Sequence, residues 1–173
     1  MKLLVIDVQK GITDDRLYNF KEFEKNIITL IDRARENAIE VIYVQHDDGP
    51  GTGFSVGDEE YEIYDKIKPL EQEKIYRKTV NSCFGNFDLK DYLKQSGEDI
   101  LIIIGLQTDF CIDASVKSAF ENGYKVIVPQ GANSTFDNEY MDKEKSYRYY
   151  NEFIWPNRYA QCISVEETVK LMK

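Results

Sequence analysis

The stretch that decides the fold reads Ile100-Leu-Ile-Ile-Ile-Gly-Leu-Gln-Thr-Asp-Phe-Cys-Ile-Asp-Ala-Ser-Val-Lys-Ser-Ala-Phe120. Five branched aliphatic residues in a row, ending at a glycine, are typical of a strand that is buried on both faces. From Cys111 onward the apolar residues follow the spacing of a helix. The stretch therefore predicts a strand, a short break at residues 105–109 and a helix, with Cys111 in the first turn of that helix.

The position of Cys111 gives it a chemical interpretation. In an open parallel sheet, ligands bind beyond the carboxyl ends of the strands. A thiol at a helix N-terminus also lies at the positive end of the helix dipole, which favours the thiolate. The alternative is a small buried apolar residue, the usual role of a free cysteine. Residues elsewhere in the chain are needed to distinguish a reactive thiol from a buried apolar side chain.

Strands and helices alternate along the rest of the chain. Short aliphatic runs predict strands at residues 3–6, 41–44, 74–77, 125–128 and 160–163, in addition to 100–104. Helical spacing predicts helices at 20–38, 88–95, from 111 to about 122, 138–153 and 165–172, with Asp88 and Ser164 as N-caps. This alternation indicates βαβ units, hence an α/β protein with a mostly parallel sheet and helices on both faces.

Composition limits the class of protein. The chain has 173 residues, 42% hydrophobic and 31% charged, which suits one globular domain covering residues 1–173 rather than a disordered chain. The net charge of −9 disfavours nucleic acid and anionic membrane surfaces as partners. No apolar run approaches the roughly 20 residues of a membrane span, and Asp7 interrupts the N-terminal run too early for a signal peptide. We therefore expect a cytoplasmic protein.

Cysteine and histidine counts exclude several kinds of site. Three cysteines (Cys83, Cys111 and Cys162) at scattered spacing form neither a disulfide framework nor a CxxC metal motif. The only histidine is His46, which excludes any site that needs several. The chain also lacks a GxGxxG after the first strand and a P-loop, which disfavours a nucleotide-binding module.

Reactive side chains follow three of the predicted strands. Asp7 follows the first, Lys78 the third and Cys111 the fourth. All strand ends of a parallel sheet lie at one edge, so we expect these groups to converge there. Cys111 would attack a carbonyl, Asp7 would accept the thiol proton, and Lys78 would favour the thiolate and orient Asp7. Taken singly, an aspartate after a strand usually caps a turn and a lysine there is usually solvated.

These residues lie within segments that resemble the isochorismatase-like cysteine hydrolases. The resemblance covers nearly the whole chain in order. Its segments are Leu3-Leu-Val-Ile-Asp-Val-Gln9, Val41-Ile-Tyr-Val-Gln-His-Asp-Asp48, Arg77-Lys-Thr-Val-Asn-Ser-Cys-Phe84, Ile104-Gly-Leu-Gln-Thr-Asp-Phe-Cys-Ile112, Gly123-Tyr-Lys-Val-Ile-Val128 and Gly131-Ala-Asn-Ser-Thr-Phe136.

The resemblance implies more than the residue pattern does. It implies a three-layer α/β/α fold whose six-stranded parallel sheet has the strand order 3-2-1-4-5-6. It implies that Asp7, Lys78 and Cys111 are a catalytic triad. It also implies a cis peptide bond between Leu106 and Gln107, with the backbone N–H groups of Gln107 and Cys111 directed at the developing oxyanion. Without the resemblance, Gly105 would indicate only a tight turn.

The resemblance also narrows the reaction. Nicotinamidases of this family carry a metal held by an aspartate and several histidines after the second strand, where this chain offers only His46, Asp47 and Asp48. We therefore expect no metal and no cofactor, with His46 tethering a loop or lining the pocket. Isochorismatases lack the cysteine. The expected activity is hydrolysis of a C–N bond in a small amide, carbamoyl or ureido compound. The alternatives are nicotinamidase or isochorismatase activity, or a non-catalytic binding protein of the same fold.

Candidate pocket and interface residues come from neighbouring loops. Gln9, Ile12, Phe54 and Phe84 are candidates for binding the small-molecule substrate, and core packing is an equally good interpretation of each. The aromatic run from Tyr147 to Tyr150, with Trp155, is typical either of a subunit interface or of a helix packed on its own sheet. Members of the family that this chain resembles commonly form homo-oligomers, so we expect a homodimer or a higher homo-oligomer.

Overall fold

A computed structural model describes all residues from Met1 to Lys173. Its strands are β1 (Lys2–Ile6), β2 (Glu40–His46), β3 (Lys74–Lys78), β4 (Ile100–Leu106), β5 (Lys125–Pro129), β6 (Asn133–Ser134) and β7 (Gln161–Ile163). Its α-helices are α1 (Phe20–Glu36), α2 (Phe87–Gln95), α3 (Asp113–Glu121), α4 (Lys143–Arg148) and α5 (Val165–Leu171). No helix combines the length and the apolar character needed to cross a bilayer.

The strands form one parallel sheet in the order β3-β2-β1-β4-β5-β7, and the two-residue β6 pairs with β4. The six longer strands thus have the order that the resemblance implied, and β6 is an addition to it. The winding of the chain reverses between β1 and β4, where Ile6 pairs with Gly105. Ligand sites of doubly wound sheets lie beyond the strand ends at such a reversal.

Two apolar cores, one on each face of the sheet, explain the three layers. Side chains alternate along a strand, so Leu3 and Val5 of β1 face one core while Leu4 and Ile6 face the other. The first core is completed by α1 and α5, and the second by α2 and α3. Residues 101–104 of β4 are completely buried, as their aliphatic run predicted.

Three helix starts differ from the sequence-based predictions. Asn86, not Asp88, caps α2 by accepting a hydrogen bond from the backbone N–H of Leu89. The predicted helix at 138–153 begins only at Lys143, after Asp142 as N-cap, and continues as a π-helical turn, Tyr149–Ile154. Cys111 lies in a π-helical turn, Thr108–Ile112, that precedes α3.

Candidate active site

Asp7, Lys78 and Cys111 meet at the carboxyl edge of the sheet. Asp7 directly follows β1, Lys78 is the last residue of β3, and Cys111 follows β4. Because β2 lies between β3 and β1, the long Lys78 side chain passes β2 to reach Asp7. Its Nζ atom lies 2.6 Å from Oδ2 of Asp7 and 3.2 Å from Sγ of Cys111. The topology therefore brings together three residues that are far apart in sequence.

Lys78 has a third partner, His46, which lies opposite it in the register of β2 and β3. Lys78 Nζ donates to Nδ1 of His46 at 2.9 Å, and Nε2 of His46 lies 3.0 Å from Oδ1 of Asp48. If Nδ1 accepts, Nε2 carries the proton and donates it to Asp48. The three N–H groups of Lys78 thus have three acceptors: the Asp7 carboxylate, the His46 imidazole and the Cys111 sulfur.

The environment of Cys111 favours the thiol over the thiolate. Burial, together with the neighbouring Asp7 carboxylate, raises the pKa of Cys111 to about 12, although Lys78 acts in the opposite direction. The position in the helix predicted a shift of this pKa in the opposite direction. Cys111 does lie in the first turn of the helical segment that begins at Thr108, but it is only 9% exposed, so burial outweighs the helix dipole. The thiolate therefore has to form when the substrate arrives.

Asp7 is suited to accept the thiol proton. Burial raises the pKa of its carboxyl, even though the neighbouring Lys78 ammonium lowers it. Its Oδ2 accepts from Lys78, whereas Oδ1 is buried and has no hydrogen-bond partner. A buried carboxylate oxygen without a partner is uncommon in a native protein and indicates a role in chemistry or binding.

A cavity of about 290 Å³ opens onto Cys111. Its nine lining residues are Asp7, Ile12, His46, Asp48, Phe54, Asn81, Gln107, Phe110 and Cys111. Of the four residues predicted to bind substrate, Ile12 and Phe54 lie on this wall. Asn81, whose Oδ1 lies 3.9 Å from Sγ of Cys111, was not among the residues predicted from the sequence. Its position in the turn that follows Lys78 was the available signal.

Gln9 and Phe84 lie outside the cavity, which corrects their assignment as candidates for substrate binding. Gln9 is completely buried, and its amide exchanges hydrogen bonds with the backbone of His46 and Tyr61. It thereby fastens the loop after β2 to the loop after β1. Phe84 packs in the second core, with its ring 5.8 Å from that of Tyr124. Both residues support the site from outside it.

The backbone between β4 and Cys111 has two special features. The Leu106–Gln107 peptide bond is cis, as the resemblance implied. Gly105 has a φ of +127°, and a Cβ atom there would lie 2.0 Å from the carbonyl oxygen of Ile6. Only glycine fits this close approach of β4 to β1, which places the loop of Gln107 beside Asp7.

The donor set does not fit a metal ion. One donor atom each from Asp7, His46 and Cys111 lie within 4.8 Å of one another. However, Lys78 Nζ makes hydrogen bonds to all three side chains, so an ammonium group already takes the position of a cation among them. Asp47 is directed elsewhere, because it accepts from the backbone N–H of Gly49 and pairs with Arg77.

The fold and the site together define a class: a doubly wound α/β protein with a cysteine, an aspartate and a lysine clustered at the strand ends. The family model of the Isochorismatase domain matches residues 2–167. The chain therefore belongs to the isochorismatase family and is a hydrolase of that family.

Several known proteins are similar to this chain. The uncharacterized isochorismatase family protein YddQ of Bacillus subtilis (strain 168) is 32% identical over 146 residues, which cover 82% of this chain and 81% of that protein. Streptothricin hydrolase of Streptomyces noursei is 27% identical over 78% of this chain and 54% of that enzyme. The crystal structure of a cysteine hydrolase from Pseudomonas syringae pv. phaseolicola has the same fold, with a TM-score of 0.90 and 20% identity, over 99% of this chain and 91% of that one.

Proposed function

We propose that residues 1–173 form one hydrolase domain that cleaves a C–N bond of a small amide, carbamoyl or ureido compound through a thioester on Cys111. The observation that carries this proposal is the position of Lys78 Nζ, which lies 2.6 Å from Asp7 Oδ2 and 3.2 Å from Cys111 Sγ. A nucleophile, a base and a group that orients the base within hydrogen-bond reach of each other are the constellation of covalent catalysis. The name of streptothricin hydrolase supports a hydrolytic reaction.

In the first half-reaction Cys111 attacks the substrate carbonyl carbon while its proton passes to Asp7. The raised pKa of Asp7 helps here, because the carboxylate holds that proton better than an exposed aspartate does. Negative charge develops on the carbonyl oxygen, and we assign its stabilisation to the backbone N–H groups of Gln107 and Cys111. Asp7 then gives the proton to the leaving nitrogen, the C–N bond breaks and the thioester remains.

In the second half-reaction a water molecule attacks the thioester carbonyl and gives a proton to Asp7. The tetrahedral species collapses with cleavage of the C–S bond, and Cys111 recovers its proton from Asp7. The products are the acid and the amine or ammonia. Lys78 holds the Asp7 carboxylate beside the sulfur through their ion pair. No metal and no cofactor takes part in this scheme.

Nicotinamidase activity is one alternative and is disfavoured here if it needs a metal, because Lys78 takes the place of a cation among the donor atoms. Isochorismatase activity, the cleavage of a vinyl ether, gives no role to a cysteine nucleophile. A non-catalytic binding protein would use the unpartnered Oδ1 of Asp7 to hold a ligand, but it gives no role to the Cys111 sulfur within hydrogen-bond reach of Lys78. Amide hydrolysis uses the three residues of the cluster and this oxygen.

A panel of small amides, carbamoyl compounds and ureido compounds, with nicotinamide among them, tests the proposal through ammonia release. The wild type is compared with Cys111→Ala and Cys111→Ser, and Cys162→Ser serves as the matched control because Cys162 lies outside the site. We expect turnover in the wild type and in Cys162→Ser only. Turnover that survives in Cys111→Ala contradicts the covalent mechanism, and a wild type that binds an amide without releasing ammonia supports the non-catalytic alternative.

A further inference from the structure

The charges around the cavity are unequal in sign. None of the 22 lysine and arginine side chains lines it, whereas two carboxylates do, Asp7 and Asp48. Asp7 is compensated by its ion pair with Lys78. Lys78 itself has no exposed side-chain surface, and its donors already have acceptors. No cation is therefore available to receive an anionic group of a substrate.

Asp48 differs from Asp7 because it has no cationic partner. Its carboxylate makes one side-chain contact, with Nε2 of His46, and His46 is a neutral donor when its Nδ1 accepts from Lys78. The Asp48 side chain is 54% exposed, so a ligand that enters the cavity can reach it. The backbone N–H of Asp48 donates to the carbonyl of Phe54, which is another wall residue and fixes the position of the loop.

We propose that Asp48 makes this cavity select compounds that carry a positively charged group and disfavour compounds that carry a carboxylate. The substrate class is then an amide with an amine, guanidine or similar cationic group on the acyl or the leaving side, with uncharged amides next in rank. The net charge of −9 attracts cations and repels anions at longer range in the same sense. The identity of the bond that is cleaved rests on the proposed function, but the charge preference of the cavity does not.

Thiol labelling measures the charge preference without any need for turnover. Cys111 is treated with aminoethyl, hydroxyethyl or sulfonatoethyl methanethiosulfonate, which are similar in size and carry a positive, no or a negative charge. Each rate is divided by the rate of the same reagent with a free small thiol, and peptide mass mapping separates Cys111 from Cys83 and Cys162. We expect the cationic reagent to label Cys111 fastest and the anionic reagent slowest.

The charge of Asp48 is tested by Asp48→Asn, with Glu121→Gln as the matched control. Glu121 is an exposed residue at the end of α3, so the control removes one negative charge far from the strand ends that form the site. Asp48→Asn should lower the ratio of cationic to anionic labelling by roughly tenfold, because an exposed charge attracts or repels by up to about fivefold and the substitution removes both effects. Glu121→Gln should leave the ratio unchanged.

Hydrolysis supplies the second arm, with pentanamide, its terminal-ammonium analogue and its terminal-carboxylate analogue as probes. Equal labelling by the three reagents, fastest labelling by the anionic one, or an unchanged ratio in Asp48→Asn would overturn the charge proposal, whatever the enzyme hydrolyses. The expected labelling order without release of ammonia from any amide would support the charge proposal and count against the proposed function instead.

Discussion

Lys78 Nζ and Asp7 Oδ2 lie 2.6 Å apart in a buried ion pair, although Lys78 ends β3, Asp7 follows β1 and β2 lies between these strands. The Lys78 side chain has no exposed surface and that of Asp7 has 1%. The parallel sheet makes this contact, because it places the ends of β1 and β3 at the same edge. Removal of either partner has separate consequences for stability and for chemistry.

Replacement of Lys78 by methionine tests the contribution of this pair to stability. Lys78→Met leaves the Asp7 carboxylate buried without a cation, which we expect to lower the free energy of unfolding by about 3–5 kcal/mol at neutral pH. The double variant Asp7→Asn/Lys78→Met should recover part of this loss, since neither residue then carries a buried charge. Urea denaturation of the single and double variants measures both values. A loss in the double variant equal to the sum of the two single losses would show that the residues do not interact.

Asp7→Asn should change the reactivity of Cys111 and the hydrolysis in opposite directions. In the wild type the pKa of Cys111 is raised to about 12 by burial and by the Asp7 carboxylate. Its alkylation by iodoacetamide should therefore keep accelerating with rising pH, without the plateau expected just above the pKa of ~8.5 of an unperturbed cysteine. Removal of the carboxylate charge lowers the pKa of Cys111, so Asp7→Asn should be alkylated faster than the wild type at neutral pH.

The same Asp7→Asn variant should lose hydrolysis by about 100- to 10,000-fold, because the asparagine cannot accept the thiol proton. Alkylation of Cys111 and release of ammonia are measured on one protein preparation. Slower alkylation in the variant would show that Asp7 activates the resting thiol, contrary to the pKa shift.

His46 should act through Lys78 rather than through a metal. The Nδ1 atom of His46 accepts from Lys78 at 2.9 Å. Asparagine can place an acceptor close to the Nδ1 position, whereas alanine cannot, so we expect His46→Asn to keep a larger part of kcat than His46→Ala. Addition of zinc to the metal-free wild type should leave kcat unchanged. Equal kcat losses in the two variants, or a rise in kcat with zinc, would contradict this role.

Gly105 should tolerate no side chain. A Cβ atom at residue 105 would lie 2.0 Å from the backbone oxygen of Ile6, and the φ of +127° adds strain for any other residue. We expect Gly105→Ala to lower the free energy of unfolding by at least about 3 kcal/mol or to prevent folding. Gly123→Ala is the control, because Gly123 also has a positive φ but no atom within 4 Å, and its cost should be only about 1–2 kcal/mol. Similar losses in the two variants would show that the positive φ, and not the contact with Ile6, accounts for the loss of stability.

The layout of the fold was predictable because short-range patterns determine it. The aliphatic run of β4 is buried on both faces and Ser164 caps α5, as the sequence predicted, and the structure adds a capping box with Glu167. The helix at 138–153 was predicted to begin too early, because the hydrogen bond from Tyr140 N to Asn138 and the Asp142 cap form a turn before α4. Local hydrogen bonds between side chains and the backbone compete with helix formation, and the spacing of apolar residues does not reveal them.

The site was predictable only in part. Asp7, Lys78 and Cys111 converge because all three lie at the carboxyl ends of parallel strands, and that rule needs only strand order. The pocket was harder, because apolar character does not distinguish Phe54, on the cavity wall, from Phe84, in the core. The pKa of Cys111 was predicted in the wrong direction, because burial and the nearby carboxylate act over distances that sequence spacing does not reveal.

The most direct test of the central claim is the mass of the Cys111 peptide during turnover. The amide that the enzyme hydrolyses fastest is mixed with the wild type, the reaction is stopped in acid within the steady state, and the digested protein is analysed by mass spectrometry. The proposed mechanism predicts that Cys111 carries the acyl group of that substrate as a thioester, and that the adduct is absent in Cys111→Ser and disappears when the substrate is used up. Sustained hydrolysis in the wild type with Cys111 unmodified, and retained in Cys111→Ala, would contradict it.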